Sequence, residues 1–215
     1  RPPRSTLFPY TTLFRSIIDY GAGNLRSVRN TLAHLGADVR TVSAPGELDG
    51  AEKIVLPGVG AFGRGMAALD AAGFVAPLKE AVAAGVPLIG ICLGMQFLFE
   101  ESDELGRTAG LGLLPGRVTR FPTEGPKVPH IGWNQLHRRS DDPLLAGVND
   151  GAYAYFVHSY YVDAGDPADV LATTDYGIDF ASVIRRGNVF GIQPHPEKSQ
   201  AVGQQILRNF LEMTL

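Results

Sequence analysis

The stretch that most constrains this chain is Gly90-Ile91-Cys92-Leu93-Gly94, which lies inside the uncharged run from Gly85 to Phe99 and carries the only cysteine. An apolar segment leads into it from Val86, and a helix-compatible one, Met95-Gln96-Phe97, follows. A Gly-x-Cys-x-Gly pattern between a buried strand and a helix has the logic of a nucleophile elbow. The strand ends, the reactive side chain stands at a sharp corner, and the first N–H groups of the helix point at it. Glycine is needed on both sides where a Cβ would strike the neighbouring backbone.

The rest of the sequence supplies a sheet for that corner. Ile17-Ile18-Asp19-Tyr20 reads as a short strand stopping at Gly21-Ala22-Gly23. Asn24 is placed to cap a helix with Leu25, Val28, Leu32 and Leu35 on one face and Gly36 as its stop. Strands are expected at 38–43 and 53–56, helices over about 62–71 and 74–84, and the central strand at 86–91. Repeated βα units imply a parallel sheet with helices on both faces. After about residue 106 the pattern turns strand-rich, at 117–121, 128–136, 152–162, 170–174, 180–186 and 189–193. Gly187-Asn188 suits a hairpin turn, so antiparallel strands should extend the sheet. A last helix turns Val202, Ile206, Phe210 and Met213 inward. The expected fold is α/β: a mixed sheet with a parallel core and an antiparallel second half, in one domain.

Residues 1–16 stand apart. Their apolar residues are scattered among Pro, Thr and Arg, and Thr6-Leu7-Phe8 recurs as Thr12-Leu13-Phe14. This prefix reads as poorly ordered flanking sequence without the apolar core of a signal peptide, and the domain proper is set at 17–215. A formal charge of -3 offers no basic surface for nucleic acid. The uncharged run is broken by Pro87, Gly90, Gly94 and Gln96, which a buried strand and helix explain better than a membrane span. A single cysteine excludes a disulfide framework and fits a reducing, cytoplasmic setting. Metal-ligand spacings are absent from the sequence, so no metal is expected.

Ligands of open α/β sheets bind beyond the carboxyl ends of the strands. That brings together residues 21–24, 58–60, Cys92 and 195–197. A thiol at the elbow needs a cation beside it to become a thiolate. Of the five histidines, His34 lies late in a helix, His137 sits among arginines, and His130 and His158 lie in strands. His195 ends a strand, with Pro196 stiffening the turn and Glu197 placed to hold the second ring nitrogen. The pattern points to a Cys92/His195/Glu197 triad. Gly58-Val59-Gly60-Ala61-Phe62-Gly63 formally matches a dinucleotide fingerprint, but it follows the third strand and Pro57 precedes it. Its flanking glycines better suit a flippable peptide, whose N–H at Val59 would join that of Leu93 in an oxyanion hole.

Gly-Ile-Cys-Leu-Gly-Met-Gln (90–96), Leu-Pro-Gly-Val-Gly (56–60) and Gln-Pro-His-Pro-Glu-Lys-Ser (193–199) together resemble the class I, triad glutamine amidotransferases. Asp-Tyr-Gly-Ala-Gly-Asn-Leu (19–25), His-Ile-Gly-Trp-Asn (130–134) and Tyr-Phe-Val-His-Ser-Tyr-Tyr (155–161) narrow the resemblance to the glutaminase subunits of imidazole glycerol phosphate synthase. The resemblance implies the flavodoxin-like amidotransferase fold, no cofactor, and hydrolysis of L-glutamine by Cys92, His195 and Glu197. It implies that Gly58, Gly60, Gln96, Ser159 and Tyr160 hold the substrate. It also implies a heterodimer with a (β/α)₈ cyclase subunit, which takes up the ammonia, through Asn24, Trp133, Asn134, Tyr155 and Lys198. Gly132 and Asn134 suggest that Trp133 sits in a surface turn. The alternatives are a triad glutaminase serving another synthase, a stand-alone γ-glutamyl hydrolase of the same fold, and a non-catalytic regulatory subunit. The prefix departs from the family pattern, in which a few residues lead straight into the first strand.

Overall fold

The computed structural model describes residues 14–214. Its first half comprises β1 (Phe14–Ile18), α1 (Leu25–His34), β2 (Val39–Val42), β3 (Ala51–Gly58), α2 (Phe62–Ala71), α3 (Val75–Ala83), β4 (Leu88–Cys92) and α4 (Leu93–Gln96). The second half comprises β5 (Glu101–Ser102), β6 (Thr108–Ala109), β7 (Gly116–Arg120), β8 (His130–Arg138), β9 (Ala152–His158), β10 (Tyr160–Ala164), β11 (Val170–Asp175), β12 (Asp179–Arg186), β13 (Val189–Ile192) and α5 (Gln200–Glu212).

Strands β2-β1-β3-β4-β13 run parallel, and β12, β10 and β7 continue the sheet with antiparallel partners. Two cores flank the parallel part. Ile17, Val55, Ile89 and Ile91 pack with Val28 and Leu32 of α1 and with Ile206 and Phe210 of α5. Ile18, Ile54, Leu56 and Leu88 pack with Met66 and Leu69 of α2 and with Leu78 of α3. Burial on both faces explains why β3 and β4 read as continuous apolar runs rather than alternating ones. No helix among the described residues is long and apolar enough to cross a membrane.

The structure changes four expectations. β1 begins at Phe14, so the last residues assigned to the prefix are part of the sheet. Ser16 pairs with Arg40 on one side and Ile54 on the other, and Arg15 forms an ion pair with Glu52 at 3.4 Å. Pairing on both edges makes a strand of a segment that lacks the alternation a sequence reading looks for. The remainder of the prefix, residues 1–13, lies outside the described residues. The expected strand 152–162 is two strands, broken at Ser159, because β9 pairs with β8 while β10 pairs with β7 and β12. The helix after Cys92 is a single turn, Leu93–Gln96. Asn24 occupies the N-cap position of α1, yet its side chain makes no capping hydrogen bond. The Gly187-Asn188 hairpin forms as expected, with Arg186 paired to Val189.

A buried cation ties β3 to the end of α5. Lys53 on β3 donates from Nζ to the carbonyls of Phe210 (2.7 Å), Leu211 (2.6 Å) and Met213 (2.6 Å). The ammonium therefore satisfies the terminal carbonyls of α5 and complements the negative end of its dipole. Burial pushes the Lys53 pKa below the ordinary lysine value. Replacing Lys53 with Met keeps the apolar stem and leaves those carbonyls without the charge. Urea unfolding should show a loss of about 2–3 kcal/mol, the scale of hydrogen bonds to a charged group; an unchanged midpoint would show that the helix end needs no such anchor.

Candidate active site

The site begins with backbone geometry. Cys92 closes β4 with φ 54° and ψ −109°, a region that a residue with a side chain occupies only under constraint. A Cβ on Gly94 would overlap the carbonyl oxygen of Leu56 on β3, and a Cβ on Gly90 would overlap the carbonyl of Gly94. Both glycines are thus required for the turn to collapse onto the neighbouring strand. Cys92 is left 6% exposed, at the carboxyl edge of the parallel strands. One turn of helix provides less dipole than a full helix would, so the sulfur depends more on its side-chain neighbours. One of these is Gln193, whose Nε2 donates to Sγ at 3.6 Å.

His195 arrives from the adjacent strand. β13 lies beside β4 in parallel register, Ile192 opposite Ile91, so the residues after both strands emerge at one edge. The His195 N–H donates to the Tyr155 carbonyl at 2.8 Å. The Ser199 hydroxyl donates to the His195 carbonyl at 2.6 Å and accepts from the Tyr155 N–H at 2.9 Å. Strand β9 therefore clamps the His-Pro-Glu turn from one side. On the other side α5 rests directly on it, since a Cβ at Gly203 would overlap the Pro196 carbonyl.

The imidazole Nδ1 bonds Glu197 Oε1 at 2.9 Å, and the Glu197 side chain is 1% exposed. Facing a carboxylate, Nδ1 carries a proton. Nε2 is then the ring nitrogen left free for the Cys92 sulfur, which lines the same cavity. Burial by itself disfavours the imidazolium. The hydrogen bonds and negative charges of Cys92 and Glu197 outweigh it and push the His195 pKa from 6.5 up to about 10. The arrangement is that of a nucleophile, an imidazole able to give and take its proton, and a carboxylate that fixes the ring.

A cavity of about 330 Å³ opens over the sulfur. Val59, Gly60, Leu93, Gln96, Ser159 and Tyr160 line it, which brings most of the expected oxyanion and substrate positions to one place. Gly58 does not join them. It lies opposite Cys92 and lines a second, much smaller cavity with Asn24, His195 and Glu197. A Cβ on it would press on Gly94 N and the Tyr20 hydroxyl at 2.8 and 2.9 Å, so its part is close packing. Tyr20 donates to the Pro57 carbonyl at 3.1 Å and pins the peptide just before this glycine. Beyond the pin, Gly60 has φ +100° and Val59 is exposed, so the Gly58-Val59-Gly60 segment has room to reorient.

Two residues of the site escaped the sequence reading. Glu104 lines the cavity and accepts the Phe62 N–H at 2.6 Å, which places a carboxylate in the cavity wall. No motif marks it, because it follows the two-residue strand β5, whose pattern is too short to read. Gln193 lies inside a quoted motif, but only the fold shows it beneath the sulfur. Gln96 is buried, not the helix-surface amide that its isolated sequence context suggests.

The expected partner residues divide. Trp133 is 47% exposed but lies in the middle of β8 rather than in a turn. It meets Tyr155 edge to face at 6.0 Å, and the Lys198 ammonium sits 5.5 Å from the Tyr155 ring centre. Ile131 and Tyr153 share this strand face by register and are also exposed, giving an apolar patch beside the cavity. Asn134 alternates to the opposite face, where its amide donates to the Asp175 carbonyl at 2.8 Å. Asn24 lines the small cavity together with Gly58, His195 and Glu197.

The raised His195 pKa contributes stability that is present in full below its unfolded value of 6.5 and lost as pH rises through about 10. Glu197→Gln removes one of the two charges that raise it. The His195 ring should then titrate at lower pH in NMR spectra, and the alkaline loss of stability should shrink. Turnover should fall by about 10²–10⁴, the cost of misorienting a triad imidazole. A ring titrating as in the parent would mean that Glu197 does not hold the imidazolium.

Residues 16–213 match the family model described as glutamine amidotransferase class-I. The imidazole glycerol phosphate synthase subunit HisH of Desulfitobacterium hafniense is 51% identical over 194 residues, covering 90% of this chain and 92% of its own length. The subunit of the same name from Halobacterium salinarum is 54% identical over 203 residues, covering 91% of each chain. Among solved structures, a crystal structure of a glutamine amidotransferase superposes with a TM-score of 0.73 at 22% identity, covering 92% of this chain and 97% of that one. The sheet with its strained Cys92 corner is thus the frame of a known family, and the chain belongs to the class I glutamine amidotransferases, among the HisH subunits of imidazole glycerol phosphate synthase.

Proposed function

We propose that this chain hydrolyses L-glutamine to glutamate and ammonia and passes the ammonia to a (β/α)₈ cyclase, the two forming the heterodimer that makes imidazole glycerol phosphate and AICAR in histidine biosynthesis. The observation that carries the reading is the Cys92 sulfur at a strained strand end, in one cavity with a buried imidazole that Glu197 fixes at 2.9 Å. The likeness to the HisH subunits over nine-tenths of the chain supports the choice of synthase over the other amidotransferases. The reaction requires a reduced thiol, in keeping with a cytoplasmic setting.

Cys92 Sγ, as the thiolate, attacks the side-chain amide carbon of glutamine. The developing oxyanion is taken up by the backbone N–H groups of Val59 and Leu93. His195 gives the proton on Nε2 to the departing nitrogen, ammonia leaves and a thioester remains. Water then loses a proton to His195 and attacks the thioester, which releases glutamate and restores the thiolate–imidazolium pair. Glu104 is placed to receive the α-ammonium, and Gly60, Gln96, Ser159 and Tyr160 to enclose the rest of the substrate. The Val59 N–H turns toward the oxyanion when the Gly58-Val59-Gly60 peptide reorients. Coupling that movement to the loaded cyclase would keep ammonia from escaping into water.

Cys92→Ala should abolish glutamine hydrolysis, while the cyclase complex continues to turn over with ammonium salts. Glutaminase activity surviving in Cys92→Ala would remove the nucleophile from this scheme. The chain alone should be nearly idle and should gain activity with the cyclase and its ligand present. Trp133→Ala should weaken association with the cyclase by about 10–100-fold in a titration, as for an aromatic anchor at an interface; undiminished affinity would move the interface elsewhere.

A further inference from the structure

Two histidines that the scheme above does not use are buried beside the site. His130 and His158 face each other across β8 and β9 and are 3% and 7% exposed. Aromatic rings enclose them. His130 stacks on Tyr176 and Phe156 at centroid distances of 3.9 and 4.9 Å, and His158 lies 5.2 Å from both Phe121 and Phe180. Burial lowers the His130 pKa to about 4. Burial lowers that of His158 to about 3, against the hydrogen bond to the Tyr160 carbonyl and with the charges of His130 and His195. Both rings are neutral at neutral pH.

Neutral rings have one donor and one acceptor each, and the partners decide which is which. His158 Nδ1 lies 2.8 Å from the Tyr160 carbonyl oxygen, which can only accept, so Nδ1 carries the proton and Nε2 a lone pair. His130 Nδ1, 3.1 Å from that Nε2, must then be a donor, which leaves His130 Nε2 as an acceptor. Asn134 Nδ2 donates to it at 3.2 Å. On the other side of the junction the Tyr160 carbonyl also accepts from Gln96 Nε2 at 3.0 Å. The second Gln96 proton goes to Gln193 Oε1 at 3.1 Å, and Gln193 Nε2 donates to the Cys92 sulfur. Every bond has one possible direction, and both lone pairs of the Tyr160 carbonyl are used.

We propose that His130 and His158 are positioning residues of the glutamine site, each held as the neutral Nδ1–H tautomer in a one-way hydrogen-bond chain from Asn134 that sets the Tyr160 carbonyl and, with Gln96 and Gln193, the Cys92 sulfur. No proton moves along it. The chain gives the break at Ser159 a fixed geometry and keeps the ring nearest His195 uncharged, so the one imidazolium in the cavity is His195. It starts on β8 directly behind the Trp133 face. The kinetic consequence rests on the glutaminase reading above; the tautomers do not.

The first test is long-range ¹H–¹⁵N spectroscopy of the histidine rings in the whole chain at neutral pH, assigned with His130→Gln and His158→Gln. Both rings should be neutral and protonated at Nδ1; an imidazolium or an Nε2–H tautomer at either would overturn the proposal. The second compares glutaminase kinetics of two variants in complex with the cyclase. Phe at 158 suits the aromatic cage but neither donates nor accepts, whereas Gln carries a donor and an acceptor at about the spacing of the ring nitrogens. His158→Phe should raise KM for glutamine by about tenfold or more, as expected for a lost buried hydrogen bond, and His158→Gln should recover most of it. Phe performing as well as Gln would assign the ring a packing role and refute positioning. Parent enzyme without glutaminase activity would instead refute the functional reading and leave the spectra to judge the chain.

Discussion

The close approach of Gly94 to the Leu56 carbonyl governs the rest of the structure. Two strands and a turn meet there with no space for a side chain, and Cys92 can be reached by the backbone only through a left-handed corner. Such conformations cost of order 1–3 kcal/mol and persist where the surroundings over-determine them. Here the surroundings are β3 and β13 on either side of β4 and a helical layer on each face. The strain is thus carried by the most deeply buried part of the sheet, and the sulfur is presented at its edge without a flexible loop.

Electrostatics then separates groups of the same kind. His195 and His158 line one cavity, both largely buried, yet their pKa values move in opposite directions, to about 10 and about 3. The difference is in the neighbours. His195 has a carboxylate and a sulfur, whereas His158 has a backbone carbonyl, another imidazole and aromatic rings. Burying Glu197 is tolerable because its charge is matched by the ring it orients. A cation at His158 would be unmatched, and the site avoids it by keeping that ring neutral.

Much of this was legible in the residues. Glycine spacing around Cys92 and the His195-Pro196-Glu197 turn mark chemistry because few other arrangements need those residues in that order. The parallel core was readable from apolar runs and their glycine stops. What escaped depends on pairing between distant segments. Phe14, Arg15 and Ser16 become a strand only because β2 and β3 flank them. The break at Ser159 follows from a change of partners that no local pattern encodes. Trp133 and Asn134, adjacent in sequence, point to opposite faces of β8, so one joins the exposed patch and the other the buried chain. Glu104 sits after a strand of two residues and carries no signal at all.

The parallel pairing of β4 with β13 gives the site a built-in order of assembly. Gln193 and Cys92 stand 101 positions apart, and the antiparallel half of the sheet is made on the ribosome between them. A nascent chain that has closed its first parallel strands holds Cys92 without an imidazole or its carboxylate. Contacts of such long sequence separation form late, because the loop-closure entropy is lost before they can repay it. Thiolate chemistry therefore begins only once residues 193–197 have been made and paired, and a polypeptide that stops short of them has no means of consuming the cell's glutamine.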